Sequence, residues 1–159
     1  MIQQKKQLRQ QKELFSFRQN EMRSVRILVV SVDVSISQGL EQALPSFIEC
    51  MASNSGLVAL DLIEMWNPDV VVIDTKISDI LYDALCLQMR CSKHMDRVPI
   101  IVMSQRKGLF EKYRCIEAGA SDYINMPVSS AVLAQRVMLT LNLRTSQQTA
   151  RQNNIFATS

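Results

Sequence analysis

Polar side chains follow several short apolar runs of this 159-residue sequence. Carboxylates are ligands that Mg²⁺ takes in proteins, and hydroxyls hydrogen-bond to carboxylates or to the backbone. Whether such residues act together depends on the elements that carry them. The candidates at the ends of the apolar runs are Ser31, Asp33, Asp74, Ser104, Asn125 and Met126.

Strand and helix patterns alternate five times over residues 26–143. The β-branched or apolar runs that predict strands lie at 26–30, 47–51, 70–73, 98–103 and 122–126. Because strand–helix–strand crossovers are right-handed, this alternation predicts an α/β fold, a parallel sheet with helices on both faces. Ligands of such sheets bind beyond the carboxyl ends of the strands, where the candidate residues would meet.

Apolar residues at helical spacing predict the faces of the intervening helices. The sets are Ile36, Leu40 and Ala43; Val58, Leu62 and Met65; Ile80, Ala84, Leu87 and Cys91; Leu109, Tyr113, Ile116 and Ala120; and Ala134, Val137, Met138 and Leu141. Met65, Met89 and Met138 are interpreted as core residues, because flexible thioethers fill gaps between helices.

Five motifs in order give residues 26–143 a resemblance to the CheY-like receiver domain of bacterial response regulators. They are the runs ILVV at 27–30, PDVVVID at 68–74, PIIVMS at 99–104, EAGASDY at 117–123 and MP at 126–127. The resemblance implies a flavodoxin-like (βα)5 doubly wound sheet with strand order 2-1-3-4-5. It also places Asp74 at the phospho-acceptor position and makes Ser104 and Tyr123 the switch residues.

The chain departs from the receiver pattern where phosphoryl chemistry needs charge. Ser31 and Val32 stand at the positions of the family's metal-binding acidic pair, and Met126 replaces its lysine. Phosphoryl transfer to a carboxylate needs a metal and a cation to neutralise the assembled negative charge. The sequence therefore predicts a pseudo-receiver that has no bound metal and is not an enzyme. The alternative is a phosphorylatable Asp74 with an atypical Mg²⁺ site that includes Asp33.

A receiver without phosphoryl chemistry would act by protein–protein contact. The resemblance implies pairing through the fourth helix, fifth strand and fifth helix, with cross-subunit ion pairs from Lys112, Arg114, Asp122 and Arg136. The chain resembles the second, adaptor receiver of receiver–receiver–GGDEF diguanylate cyclases. Expected partners are a second copy of the chain or an output domain of the same polypeptide, with a histidine kinase as a further candidate.

Basic, polar ends flank the receiver-like segment. Residues 1–26 carry seven Lys and Arg against two Glu, and residues 144–159 carry two Arg and no acid. We interpret 1–25 as a helical connector and 144–159 as a polar helical extension. A DNA-binding regulator that uses the basic arm is the less favoured hypothesis, because no DNA-reading module follows it. A flavodoxin-like enzyme is disfavoured because no glycine-rich phosphate loop follows Val30.

Apolar runs in this sequence are too short to cross a bilayer, and the N-terminus has no apolar signal region. The chain is therefore expected in the cytoplasm, without membrane insertion. Its four cysteines form no CxxC pair and are predicted to be reduced, buried thiols. The single histidine, His94, is predicted to lie on a polar loop.

Overall fold

The computed structural model describes the backbone of residues 24–157, with the side chains of 24–143, 150 and 151. The predicted connector, 1–25, lies outside the described residues except for Ser24 and Val25. The elements are β1 (Val25–Val30), α1 (Val34–Ala43), β2 (Ile48–Ser53), α2 (Gly56–Trp66), β3 (Val70–Asp74), α3 (Tyr82–Cys91), a 3-10 turn (Lys93–Met95), β4 (Ile100–Ser104), α4 (Leu109–Glu117), β5 (Asp122–Asn125) and α5 (Ser130–Ala157).

The five strands form one parallel sheet in the order β2-β1-β3-β4-β5, which confirms the predicted fold class. Its register places Asp74 opposite Met103 on β4. Ser104, the last residue of β4, lies opposite Asn125 on β5. The carboxyl ends of β1, β3, β4 and β5 therefore lie at one edge, as the alternation predicts.

Alternate side chains of each strand enter one of two apolar layers. Leu28 and Val30 of β1 join a cluster that includes Ile63 of α2 and Leu85 of α3. Ile27 and Val29 join a second cluster with Leu40 of α1 and with Leu133, Ala134 and Val137 of α5. Both faces of the sheet are covered, because strands apolar on both sides must bury both.

The predicted apolar faces of α2 and α3 are wrong for most of their residues, although Leu62 and Ile80 pack against the cluster that contains Leu28. The side chains that α2 buries are those of Ala59 and Ile63, whereas Val58 and Met65 are 51% and 80% exposed. The residues that α3 buries are Tyr82, Leu85, Cys86 and Met89. Each helix carries apolar residues on more than one side, so spacing alone did not decide which side meets the sheet.

The predicted face of α4 is wrong in a more informative way. Leu109, Tyr113 and Ile116 are exposed, while Glu111 and Cys115 face the interior. A carboxylate thus occupies the inner side of the helix and large apolar residues lie in solvent. The fifth helix agrees with prediction, because Ala134 and Val137 are buried and Met138 and Leu141 pack beside them. The prediction that Met65 is a core residue is wrong, and the same prediction for Met89 is confirmed.

The cysteine prediction holds for two residues of four. Cys86 and Cys115 are buried free thiols, Cys50 is half-buried and Cys91 is exposed. His94 is exposed in the 3-10 turn after α3, with its Nε2 4.0 Å from Glu64. Within the part of the chain that the structure describes, no helix is long and apolar enough to span a membrane.

Candidate functional site

Asp74 ends β3 as a buried carboxylate with both oxygens hydrogen-bonded. The Ser31 hydroxyl donates to its Oδ2 at 2.9 Å, and the backbone N–H of Lys76 donates to its Oδ1 at 3.0 Å. Asp74 is 3% exposed and Ser31 6% exposed. The serine at the first acidic-pair position therefore acts as a hydrogen-bond donor to the carboxylate.

Asp33, the weak candidate for a second metal ligand, caps α1. Its Oδ1 accepts from the Ser35 hydroxyl at 2.6 Å and from the Ser35 backbone N–H at 3.0 Å. These hydrogen bonds hold the pKa of Asp33 below its ordinary value of 3.8. The Asp33 N–H donates to the Ser31 hydroxyl at 3.0 Å, which fixes the loop between β1 and α1. Val32, at the other acidic-pair position, is half-exposed.

These residues do not fit the magnesium ion that receivers of this fold imply. Mg²⁺ takes oxygen ligands in octahedral geometry and usually at least one carboxylate. Asp74 is engaged by Ser31 and Lys76, Asp33 is engaged at the helix start, and Val32 has no oxygen in its side chain. Among the described residues, no group of three or more His, Cys, Asp or Glu is placed to hold a metal.

Ser104 and Tyr123, the predicted switch residues, are both bound to the same loop residue. The Arg106 backbone N–H donates to the Ser104 hydroxyl at 3.1 Å. The Tyr123 hydroxyl donates to the Arg106 carbonyl oxygen. Ser104 is fully buried and Tyr123 is 7% exposed. Arg106 was missed by sequence analysis, because its role uses backbone atoms that no residue type reveals.

Met126, at the lysine position, is partly buried and packs against the second apolar cluster. Its backbone N–H donates to the Ser104 carbonyl at 2.8 Å and so extends the pairing of β4 with β5. A thioether brings no positive charge, and in this packing it contributes apolar contact. The position therefore supports the sheet edge and supplies no cation.

Asp79, which sequence analysis also missed, binds the start of α2 from the loop after β3. Its carboxylate accepts from the Ser55 hydroxyl at 2.6 Å and from the N–H groups of Gly56 and Leu57 at 3.0 and 3.1 Å. These bonds lower the pKa of Asp79 to about 2, and the bond from the Ser55 hydroxyl has the largest effect. The partners lie over twenty residues apart, so no local pattern could find them.

A polar cluster joins α3 to α4 beneath the exposed apolar residues of α4. The Tyr82 hydroxyl donates to Oε1 of buried Glu111 at 2.7 Å. Arg114 contacts Asp83 at 2.9 Å and the Glu111 carboxylate at 4.0 Å. Burial, and then the bond to Glu111, raises the pKa of Tyr82 far above its ordinary value. The cluster therefore holds α4 by polar contacts.

The predicted ion-pairing residues lie on α4, β5 and α5. Arg136 donates twice to the Asp122 carboxylate, at 2.7 and 2.6 Å, within its own chain. Arg114 reaches Asp83 on α3, also within the chain. Lys112 is exposed. Both arginines thus have carboxylate partners already, and their cross-subunit role stays a prediction.

Comparisons with known proteins agree with this architecture. The protein-family model of the response regulator receiver domain matches residues 27–138 of this chain. The response regulator MprA of Mycobacterium tuberculosis (strain H37Rv) is 32% identical over 132 residues, covering 82% of this chain and 56% of that protein. MprA of Mycobacterium sp. (strain KMS) is 35% identical over 124 residues, covering 77% and 52%. The chain thus spans about half the length of these curated relatives.

Solved structures share the fold. The receiver domain of Francisella response regulator 1452 superposes with a TM-score of 0.66 at 26% identity, covering 74% of this chain and 97% of that one. A CheY-like receiver domain protein from Methanospirillum hungatei JF-1 gives a TM-score of 0.69 at 22% identity, covering 77% and 98%. The chain belongs to the response regulator receiver domain family of two-component signalling.

Proposed function

We propose that this receiver acts by protein–protein contact and does not accept a phosphoryl group. The observation that carries the proposal is the buried hydrogen bond from Ser31 to Asp74, at the position where the family has a metal-binding acid. In-line attack by a carboxylate on a phosphoryl donor assembles negative charge that needs nearby cations. Ser31, Val32 and Met126 supply neither a metal ligand of the usual kind nor a positive charge.

The loop geometry is consistent with a single conformation of the switch. In a receiver that responds to phosphorylation, the switch hydroxyl must reach the phosphoryl oxygen. Here the Ser104 hydroxyl oxygen accepts from the Arg106 N–H and the Tyr123 hydroxyl donates to the Arg106 carbonyl oxygen, so one loop residue fixes the position of both side chains. A protein that uses this conformation constitutively would present one fixed surface to its partners. A histidine kinase would then be a binding partner at most.

Beryllofluoride with Mg²⁺ tests the proposal directly, because it mimics the phosphorylated carboxylate. We expect no change in the amide NMR signals of Asp74, Ser104 and Tyr123 at millimolar concentrations. Incubation with acetyl phosphate should likewise leave the intact mass unchanged. A shift or a mass gain that Asp74→Asn abolishes would contradict the proposal and establish the phosphorylatable receiver with an atypical magnesium site.

We further propose that α5 connects the receiver to a second domain, in the manner of the adaptor receiver of a diguanylate cyclase. The helix continues for 28 residues, from Ser130 to Ala157, about 42 Å at 1.5 Å per residue. Residues of α5 that pack in the second apolar cluster end at Leu141, and the sequence beyond is mostly polar. A polar helix of this kind is typical of a connector between domains.

A fusion tests the connector. The receiver with its extension would be joined to a diguanylate cyclase domain, and two or seven residues would be inserted between 144 and 157. Seven residues make nearly two turns and preserve the helical phase, while two rotate the attached cyclase domain by about 200°. We expect the two-residue insertion to change cyclase output and the seven-residue insertion to retain it. Equal output from both would contradict a connector role.

A further inference from the structure

A polar cleft lies at the amino ends of β4 and β5, at the opposite edge of the sheet from Asp74. Its lining comes from the segment before β4, from the start of β5 and from α5. The cleft has a volume of about 630 Å³, within the range of roughly 300–1,000 Å³ that small-molecule sites have. Its lining includes none of the residues at the carboxyl edge, so it is separate from the site described above.

Three arginines line the cleft, and one of them has a carboxylate partner. Arg136 donates to both oxygens of Asp122, at 2.7 and 2.6 Å. Arg97 and Arg151 are exposed, and none of the ion pairs found in the described part of the chain includes them. Guanidinium groups bind phosphate and carboxylate oxygens through pairs of N–H donors. Two such groups are therefore available to an anion in the cleft.

The two acids of the lining leave this positive charge in excess. Asp122 is engaged by Arg136, as above. The Asp96 carboxylate favours the charged form of the nearby Arg90, whose hydrogen bonds go to neutral carbonyl and hydroxyl oxygens. Each aspartate thus has an arginine to balance it, and the two remaining arginines give the cleft its net positive charge.

The Ser121 hydroxyl gives the cleft a neutral hydrogen-bond donor. Its oxygen accepts from the Ile100 N–H at 3.2 Å and from the Arg90 guanidinium at 3.5 Å. A hydroxyl has two acceptor lone pairs and one proton. Because both lone pairs are engaged, Ser121 can offer a ligand its proton, which suits an acceptor such as a phosphate oxygen.

Two leucines of α5 add an apolar surface to the same cleft. Leu139 and Leu143 are 56% and 57% exposed, and their spacing of four residues places them on one side of the helix. A bare inorganic anion would leave this apolar surface in water. A ligand with both a negative charge and an organic body would cover it and gain from doing so.

We propose that the cleft binds a phosphate monoester of a planar organic body, the class to which nucleotides belong. Its phosphate would accept from Arg97, Arg151 and Ser121, and its body would lie over Leu139 and Leu143. An acidic peptide fits less well, because the cations line a recess of small-ligand size and not a flat surface. The inference does not depend on whether Asp74 accepts a phosphoryl group.

Isothermal titration calorimetry of the full chain with AMP, GMP, CMP and UMP tests the proposal. We expect at least one nucleotide to bind saturably, more weakly at high salt, and more tightly than inorganic phosphate or its own nucleoside. Arg97→Ala and Arg151→Ala should each weaken its binding about tenfold or more. Arg106→Ala is the matched control and should change nothing, because Arg106 is an exposed arginine at the carboxyl edge. Thermal melts would verify that each variant is folded.

Two further measurements assign the parts of the ligand. Leu139→Ala should weaken nucleotide binding and leave the affinity for inorganic phosphate unchanged, because only the organic body would contact that side chain. Amide NMR signals of Arg97, Ser121 and Leu143 should shift when the nucleotide is added. Those of Asp74 and Ser104 should not, since they lie at the other edge of the sheet.

Four results would overturn the inference. The first is that none of the four nucleotides binds at millimolar concentration. The second is binding that neither arginine variant weakens, or that shifts Ser104 in place of Ser121. The third is inorganic phosphate bound as tightly as the nucleotides, which would mean a pair of cations without a ligand site. The fourth is a poly-glutamate peptide bound more tightly with the same arginine dependence, which would assign the cleft to an acidic protein partner. The beryllofluoride test is read at Asp74, so failure here is distinct from failure of the proposed function.

Discussion

At the residue scale, the Ser31 hydroxyl, at the first acidic-pair position, donates a hydrogen bond to the Asp74 carboxylate. A serine donates a hydrogen bond to a carboxylate and stabilises it in place, whereas an acid at that position repels it until a cation arrives. The bonds from Ser31 and Lys76 satisfy a buried carboxylate within the chain itself. The hydrogen bond from Ser31 thus ties Asp74, at the end of β3, to the loop after β1.

Restoring the missing charges should restore metal binding. In the combined variant Ser31→Asp, Val32→Asp and Met126→Lys, the added carboxylates repel Asp74 in the absence of metal. We expect millimolar Mg²⁺ to raise the melting temperature of this variant and not of the unmodified chain, because a ligand stabilises the state that binds it. Differential scanning fluorimetry measures both, with Met126→Lys alone as the control. A similar Mg²⁺ response of the unmodified chain would contradict this account.

Asp79 should make stability depend on pH at the acid end. Its pKa is about 2 in the folded chain, against an ordinary value of 3.8. A carboxylate with a lowered pKa stabilises the fold above its unfolded value, and the contribution fades as pH falls toward the folded value. Asp79→Asn should therefore lower the denaturation midpoint at pH 6, with the difference shrinking between about pH 4 and pH 2. Urea titrations at several pH values measure this.

If the denaturation midpoints of Asp79→Asn and of the unmodified chain differed by the same amount at every pH, the effect would instead come from lost hydrogen-bond geometry. Asp61→Asn provides the matched control, because Asp61 is an exposed acid on α2 itself. Its carboxylate is not among those that accept from the first N–H groups of that helix. We expect this variant to show no comparable dependence on acid pH.

At the scale of elements, the strands follow from sequence more closely than the helix orientations. Val70–Ile73 is apolar throughout and is buried on both faces, so its pattern leaves one interpretation. On α4 the period is right and the side is wrong. The burial of Glu111 depends on the hydrogen bond from Tyr82, which lies 29 residues earlier in the chain. Local spacing carries no signal for such pairings.

The candidate site divides in the same way. Topology alone places Ser31, Asp74 and Ser104 at one edge of the sheet, and the structure has them there. The hydrogen bond from Ser31 to Asp74 and the engagement of Ser104 by Arg106 were not predictable. The first joins two side chains at the ends of different strands, and the second depends on a loop conformation that positions the Arg106 N–H, so residue types do not encode either bond.

The contact between α3 and α4 offers a test of how α4 is held. Tyr82→Phe removes the hydroxyl that donates to buried Glu111. Leaving a buried acceptor without its donor costs about 1–3 kcal/mol in the free energy of unfolding. Urea denaturation at low protein concentration should show this loss. The matched control is Tyr113→Phe, on the exposed side of α4, which should change stability by under about 0.5 kcal/mol. Equal effects of the two would argue against a polar anchor.

At the scale of the whole molecule, the carboxyl edge of the sheet and the outer helices differ in how far internal contacts engage them. The carboxyl edge, where receivers conduct phosphoryl chemistry, is closed by internal hydrogen bonds from Ser31, Lys76 and Arg106. The exposed apolar side of α4 and the long α5 are the features that reach outward. Under the proposed function, signalling passes between surfaces of a domain whose interior stays in one arrangement.

The division of the chain at residue 143 can be tested by truncation. Residues of α5 that pack on the domain end at Leu141, and Leu143 is exposed. Arg151 is also exposed. Ion pairs of an exposed side chain contribute little to the free energy of unfolding. Removing residues 144–159 should therefore change the free energy of unfolding by under about 1 kcal/mol. Removing residues 134–159 takes away Ala134 and Val137 and should abolish cooperative unfolding, as the control. A large loss from the shorter truncation would mean that the extension packs against the receiver and is part of its fold.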